Sequence, residues 1–149
     1  MTLKEKVYDY YLQVLNEKIK TLQQVLADLK ESGTNETKST AGDKHETALA
    51  MLQIEQGNTG AQLQDLFNKR SALEKINPAL SVPKVVVGSL INTNQGYLFM
   101  STALGKATIE KINVTALSPQ SPLGIKLLGL SIKDAVAINS NRYVIKSIE

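Results

Sequence analysis

The chain of 149 residues contains no cysteine and no tryptophan, and it has a single histidine, His45. Without cysteine there is no disulfide, no thiolate metal site and no thiol nucleophile, which excludes the cysteine-dependent condensing enzymes. A single histidine argues against a multi-histidine metal site and against a histidine-based catalytic triad. Functions that depend on cysteine or on several histidines are therefore excluded.

Long apolar runs are also absent. The first residues, MTLKEKVYDYYL, lack the apolar core of a signal peptide. No run approaches the roughly 20 apolar residues that cross a membrane. With 42% hydrophobic and 21% charged residues, the composition predicts one or two small domains in the cytoplasm, with no membrane partner.

The net charge of +3 is unevenly distributed along the chain. Residues 1–77 carry 10 Lys and Arg against 11 Asp and Glu, whereas residues 78–149 carry seven against three. This asymmetry predicts that the two parts contact different surfaces.

The first segment predicts a long coiled-coil helix. Apolar side chains recur at alternating spacings of four and three over three heptads. The seam consists of Tyr8, Leu12, Leu15, Ile19, Leu22, Leu26 and Leu29. Neither Gly nor Pro interrupts this segment before Gly33, which stands where a helix would end in a C-cap. Tyr8, Tyr10 and Tyr11 are expected to cover the base of this helix and to contact the second domain.

A second helix is predicted from Asp43 to Ile76, with its weakest part at Gly57 and Gly60. The short polar connection favours an antiparallel hairpin within one monomer, and a parallel dimer of two chains is the alternative. Residues 1–77 are thus predicted to form an arm with its tip at residues 31–46.

After Asn77-Pro78 the pattern changes to short strands and turns. One short helix is predicted, with Pro122 in its first turn and Gly129 just past its end. The predicted strand regions are 84–91, 97–100, 106–116, 135–138 and 143–148, and the predicted helix is 122–128. Residues 78–149 are therefore predicted to form a small antiparallel sheet with one helix, which gives an α+β chain.

Two carboxylates, Asp43 and Glu46, stand at the predicted start of the returning helix. Their spacing of three places them on one face of its first turn. They can form a capping box, or they can offer oxygen ligands to Mg²⁺. The two roles conflict, because a carboxylate engaged in capping has fewer free lone pairs for a metal.

The helical hairpin with an acidic tip, followed by a small basic α+β domain, resembles the Gre transcript-cleavage factors of bacterial RNA polymerase. At the tip, the matching residues are Gly42, Asp43, Glu46 and Ala48, while Thr47 and Ala50 stand where the family has Asn and Tyr. In the second domain the matching residues are Ser121-Pro122-Leu123-Gly124, Leu127-Leu128-Gly129, Asp134, Val136 and Tyr143-Val144-Ile145.

The resemblance implies an FKBP-like second domain that binds RNA polymerase, with contacts at Ser121, Pro122, Leu123 and Gly124. It implies that the arm enters the secondary channel of the polymerase, where Asp43 and Glu46 act as catalytic carboxylates on backtracked RNA. They would share a Mg²⁺ ion with the polymerase. The chain would then be a monomeric accessory factor rather than an enzyme, with no cofactor of its own and with indirect contact to the 3′ end of the nascent RNA.

Two alternatives remain open. Thr47 and Ala50 depart from the tip motif, which favours a non-cleaving relative that occupies the same channel and regulates transcription. An FKBP-like domain also allows a prolyl isomerase or chaperone. That function is disfavoured because 5% aromatic residues and no Trp leave little to build an aromatic-lined proline pocket.

Overall fold

The structure, a computed structural model, describes residues 1–37 and 42–149, and of residues 35–37 and 42–45 it describes the backbone alone. A pair of long helices comes first, and a six-stranded sheet with a short helix follows. The predicted α+β class is confirmed. Within the described ranges, no helix has a stretch that is long and apolar enough to cross a membrane.

The helices are α1 (Leu3–Thr37), α2 (Gly42–Glu74) and α3 (Pro122–Leu127). The strands are β1 (Leu90–Thr93), β2 (Gly96–Met100), β3 (Gly105–Ile109), β4 (Ile112–Leu117), β5 (Ala135–Ile138) and β6 (Asn141–Ile148). The chain divides into two compact units. Residues 14–70 form the arm unit, and residues 1–13 together with 71–149 form the sheet unit.

In the arm unit, α1 and α2 run antiparallel. Gln56 Nε2 donates to the carbonyl of Leu29 at 3.2 Å, and Arg70 Nη1 donates to Asn16 Oδ1 at 3.1 Å. Moving back along α1 from Leu29 to Asn16 therefore corresponds to moving forward along α2 from Gln56 to Arg70. The predicted hairpin within one chain is confirmed.

The end of α1 differs from the prediction, because the helix continues through Gly33 to Thr37. A Cβ atom at Gly33 would lie 3.5 Å from Gln56 Nε2, which is an ordinary contact across the hairpin. Helix α2 therefore still lies beside α1 at this position. Packing between helices supplies most of the stability of a helix in a protein, and here it outweighs the tendency of glycine to end one.

The middle of α2 carries two glycines on an open surface, because a Cβ at Gly57 or Gly60 would meet no atom within 4 Å. Glycine costs about 1 kcal/mol relative to alanine in a helix interior. We expect Gly57→Ala and Gly60→Ala each to raise the free energy of unfolding by about 1 kcal/mol, as measured by urea denaturation. Thr59→Ala is the control, because Thr59 is buried between them and its truncation should not stabilise the arm. A lower free energy of unfolding in either glycine variant would contradict the prediction.

In the sheet unit the strand order is β3-β4-β2-β1-β6-β5. Every neighbouring pair is antiparallel except β2 and β4, which are parallel, so the predicted antiparallel sheet is confirmed apart from this one pair. The reason for the exception is that residues 106–116 form a hairpin rather than one strand. Glu110 and Lys111 make its turn with φ of 50° and 69°. As a result β3 lies at the edge, and β4 returns beside β2 in the same direction.

The predicted strand at residues 84–91 is largely wrong, because β1 begins only at Leu90 and Lys84 forms an isolated bridge. Gly88 interrupts the segment with a φ of 101°. A Cβ at Gly88 would also lie 2.9 Å from Ile76 Cγ2, so glycine permits both the backbone conformation and the close contact. The strands at 97–100, 135–138 and 143–148 and the helix at 122–128 are confirmed to within two residues.

The central strands β1, β2 and β4 bury side chains on both faces of the sheet. On one face a core forms below α3 from Val85, Ile91, Leu98, Met100, Leu117, Leu127 and Ile145. The other face carries Phe99, since side chains alternate along β2. Tyr11 of α1 stacks on Phe99 with ring centroids 6.2 Å apart. The predicted packing of the helix base on the second domain is therefore confirmed for Tyr11, whereas Tyr10 is 40% exposed.

The hydroxyl of Tyr11 is held inside the sheet unit. It donates to the carbonyl of Gly105 at 2.8 Å and lies 3.3 Å from the carbonyl oxygen of Val114. Burial raises the pKa of Tyr11 to about 12 from the ordinary value of 10.0. The folded protein thus retains this proton at pH values where the unfolded chain loses it, so the stability contributed by the phenol is complete below about pH 10 and is lost as the pH rises towards 12.

We expect Tyr11→Phe to lower the free energy of unfolding by about 1–2 kcal/mol near neutral pH, because the carbonyl of Gly105 loses the Tyr11 hydroxyl as its donor. The difference from wild type should shrink above about pH 10. Urea denaturation of both proteins near neutral pH and above about pH 10 measures this difference. Tyr10→Phe, at the exposed neighbour, is the control and should change stability by less than about 0.5 kcal/mol. A loss for Tyr11→Phe that stays constant with pH would contradict the assignment.

Candidate functional site

The two predicted carboxylates lie at the start of α2. The helix begins at Gly42, so Asp43 is its second residue and Glu46 is its fifth, three positions later on the same face. The arm unit begins at residue 14 and ends at residue 70, and α1 ends at Thr37. The start of α2 therefore lies at the opposite end of the hairpin from residues 14 and 70. The structure therefore places both predicted residues at the end of the arm.

The side chain of Glu46 is exposed, whereas the side chain of Asp43 lies outside the described residues. The choice between a capping role and a ligand role for Asp43 accordingly stays open. Among the described residues there is no group of three or more His, Cys, Asp or Glu that could hold a metal ion. Mg²⁺ prefers oxygen ligands and retains several waters, so a carboxylate pair within one helical turn has the donor type for part of a Mg²⁺ site.

The two positions at which the tip differs from the motif of the Gre factors are also exposed. The side chains of Thr47 and Ala50 are exposed, like that of Glu46. The departures therefore change the surface that the arm presents rather than its interior. They bear on what the tip can contact.

Farther along the arm, apolar side chains lie outside the buried seam. Met51 and Ile54 are 60% and 63% exposed on α2, and Val25 is 39% exposed on α1. A groove of about 810 Å³ lies between the two helices. It is lined by Val14, Glu17, Lys18, Thr21, Leu22, Ala61, Gln62, Asp65 and Leu66. Of these residues, Leu22 belongs to the predicted seam. Sequence reasoning missed the exposed Val25, Met51 and Ile54, because it followed the residues of the seam alone.

The second predicted set, Ser121 to Gly124, starts α3. Ser121 is the N-cap: its Oγ accepts from Gly124 N at 3.0 Å and donates to the carbonyl of Ser118 at 2.6 Å. Pro122 occupies the first turn, and Leu123 packs against the core below the helix. The backbone of Gly124 approaches Ser118 so closely that a Cβ would lie 2.1 Å from its carbonyl oxygen. Each residue of the motif thus has a structural reason, and its contact with a polymerase stays a prediction.

The outer side of α3 and the following loop present apolar side chains. Ile125, Leu128 and Ile132 are 62%, 40% and 49% exposed. Lys126 lies among them, and its Nζ donates to the carbonyl of Ala137 at 2.9 Å. Because Leu127 points into the core, α3 separates a buried side from an apolar side that is open to solvent.

The molecule therefore offers two candidate surfaces, with the carboxylates in the arm unit and the α3 motif in the sheet unit. Comparison of the chain with protein-family models finds no matching family, and comparison with curated proteins finds no matching relative.

Proposed function

We propose that this chain is an accessory factor of bacterial RNA polymerase that stimulates the cleavage of backtracked RNA in the cytoplasm. The observation that carries the proposal is the hairpin of two helices, of 35 and 33 residues, with two carboxylates near the start of the second helix. Within the arm unit, residues 14–37 of α1 and residues 42–70 of α2 extend roughly 35–45 Å at about 1.5 Å per residue. An arm of that length can carry a carboxylate pair through a narrow channel to a buried active centre.

In this proposal the RNA 3′ end is extruded into the secondary channel when the polymerase backtracks, and the arm enters the same channel. Asp43 and Glu46 would supply oxygen ligands to a Mg²⁺ ion that the polymerase also holds. A Mg²⁺ ion bound there stabilises negative charge on the reacting phosphate. The carboxylates would also accept a hydrogen bond from the attacking water and orient it towards the phosphorus atom. Since they form only part of a site, no nuclease activity is expected from the chain alone.

The charge distribution supports binding through the second part of the chain. Residues 78–149 carry seven Lys and Arg against three Asp and Glu. A basic surface accelerates association with an acidic partner, and salt weakens that effect. The apolar side chains on the outer face of α3 add a contact surface beside the charges.

A second candidate function is a regulator that occupies the channel without stimulating cleavage. It is favoured by Thr47 and Ala50, which are exposed where the family motif has Asn and Tyr. An amide and a phenol can each hold RNA or water through hydrogen bonds, whereas alanine cannot and threonine offers only a hydroxyl. The same arm would then exclude other molecules from the channel.

Transcript cleavage by a stalled, backtracked elongation complex tests the proposal, with and without this protein and at several Mg²⁺ concentrations. Binding to the polymerase is measured in the same samples. Faster RNA shortening that depends on both the protein and Mg²⁺ would establish the cleavage function. Binding without faster shortening would favour the regulator, and an absence of binding would contradict both.

A further inference from the structure

Lys4 of the sheet unit is a buried lysine that the proposed function does not use. Its residue surface is 5% exposed. Its Nζ donates to the carbonyl of Leu80, and among the described residues no carboxylate forms an ion pair with it. An ammonium group has three donors, so this contact satisfies one of them. A buried cation with unfilled donors is costly unless an anion or water meets it.

The Lys4 side chain lines a pocket of about 300 Å³, here called the Lys4 pocket. Its walls are mostly aliphatic, with Asn77 and Ser89 as the uncharged polar lining residues. Leu80, Val82, Val86 and Val87 are 63%, 40%, 43% and 51% exposed. Solvent-exposed aliphatic side chains around one concavity next to a buried charge are the usual composition of a small-ligand site. The pocket is at the lower end of the size range of about 300–1,000 Å³ for such sites.

The walls of the Lys4 pocket are held in place by backbone geometry. Val86 N donates to Ser89 Oγ at 3.0 Å, and Gly88 N donates to the carbonyl of Met100 at 2.6 Å. Leu80 is fixed by its N–H bond to the carbonyl of Asn77 at 3.2 Å. The cavity is therefore formed before any ligand arrives.

The charges of the pocket specify the sign of the ligand. Its two ionisable lining residues are Lys4 and Lys75, both cations. Burial lowers the pKa of the Lys4 ammonium, and the negative charge of Glu149 acts in the opposite direction. Glu149 is the anion with which a ligand would compete. Because the only charges in the lining are positive and the walls are mostly aliphatic, an anion with an apolar body fits both.

We propose that the Lys4 pocket binds an aliphatic carboxylate, with the carboxylate on the Lys4 ammonium and the chain against the surrounding valines. The carboxylate accepts hydrogen bonds from the N–H groups of the Lys4 ammonium that do not donate to the carbonyl of Leu80. The chain covers Val82, Val86 and Val87. This chemistry is provided by a free short-chain carboxylic acid, and also by the terminal carboxylate of a peptide that ends in leucine. The proposal is independent of the function proposed for the arm.

The test is a titration of the ¹⁵N-labelled full chain followed by NMR. Sodium hexanoate is compared with hexanamide, which has the same chain without the charge, and with acetate, which has the charge without the chain. We expect hexanoate to shift the amide signals of residues 80 and 86–89 in a saturable manner, with an affinity at least about tenfold above that of either control. Acetyl-Ala-Leu with a free or an amidated C-terminus separates the two sources. Tighter binding of the free peptide than of hexanoate identifies a peptide terminus, and the reverse order identifies a free acid.

Two variants complete the test. Lys4→Met retains the apolar stem and should weaken hexanoate binding at least about tenfold, whereas Lys20→Met, on the exposed side of α1, should not change it. Val87→Glu places a carboxylate at the exposed rim and should weaken binding even if Lys4→Met proves unstable. Binding of hexanamide as tightly as hexanoate, or unchanged hexanoate binding in Val87→Glu, would overturn the proposal. Absence of binding by both hexanoate and the free peptide would also overturn it.

Discussion

Alanine at Asp43 or Glu46 is expected to abolish the stimulation of transcript cleavage and to leave polymerase binding unchanged. In the proposed function, either change would remove one of the two carboxylates that act at the active centre of the polymerase. Loss of a group that positions a metal ion or orients a reacting water lowers a rate by about 100-fold or more. The rate of RNA shortening in a backtracked complex at saturating factor measures the effect, and co-migration of factor and polymerase reports binding.

Glu55→Ala is the matched control for these variants, because Glu55 is an exposed carboxylate on the same helix. It has the same change in charge and should retain full stimulation. Cleavage stimulation that persists in both Asp43→Ala and Glu46→Ala would refute the assignment of the site. Equal loss in Glu55→Ala would mean that the total charge of the arm, rather than the tip, determines activity.

The same variants also separate the capping role from the ligand role. If the Asp43 carboxylate accepts hydrogen bonds from the first N–H groups of α2, its replacement by alanine costs about 0.5–2 kcal/mol of helix stability. If it acts only on a partner, urea denaturation will show no such loss. A variant that loses cleavage and keeps its stability would assign the carboxylate to chemistry alone.

The second large effect is expected at Gly124, where alanine should destabilise the sheet unit by about 3 kcal/mol or more. The new Cβ would lie 2.1 Å from the carbonyl oxygen of Ser118 and 3.0 Å from Pro119 Cα. Both atoms belong to the backbone, so neither can move aside as a flexible side chain could. The start of α3 must shift, and with it Leu127 leaves its place in the core.

Chemical denaturation followed by the amide signals of the sheet unit measures this loss. Gly60→Ala is the control, since a Cβ there meets no atom within 4 Å. A loss below about 1 kcal/mol for Gly124→Ala would show that the backbone at Ser118 yields easily. Failure of Gly124→Ala to bind polymerase would by itself identify no contact. Ile125→Ser is the better test of a contact between α3 and the polymerase, because Ile125 is 62% exposed.

The sequence predicts α1 well, because its regular apolar spacing brings the apolar side chains to one face only in a helix. The sequence did not predict the hairpin of β3 and β4, because its turn lacks the usual residue signal. Its turn consists of Glu110 and Lys111, which adopt positive φ without the Gly or Asn that usually signals such a turn. The valines before Gly88 led to the incorrect prediction of a strand at residues 84–91. Their β-branched side chains favour a strand, yet Val86 and Val87 line the surface of a loop.

The candidate sites differ in how far sequence reasoning reaches. Residue spacing is sufficient to place Asp43 and Glu46 in one helical turn. The exposed Met51 and Ile54 are not foreseeable from the seam, because a heptad pattern identifies the buried side and leaves the composition of the other side open. The burial of Lys4 depends on the chain folding over it at Leu80, a contact between residues 76 positions apart. No local pattern predicts such a contact.

The pairing of β1 with β6 determines the order in which the units can form during synthesis. The N–H groups of Leu90 and Glu149 donate to each other's carbonyl oxygens at 3.0 and 2.8 Å, which joins an interior strand to residues made more than 50 positions later. The arm unit needs only residues 14–70, which are close in sequence and form early. Residues 1–13, by contrast, belong to a unit that closes only when β6 has left the ribosome. All residues of the arm unit are therefore synthesised before the sheet surface on which Tyr11 packs.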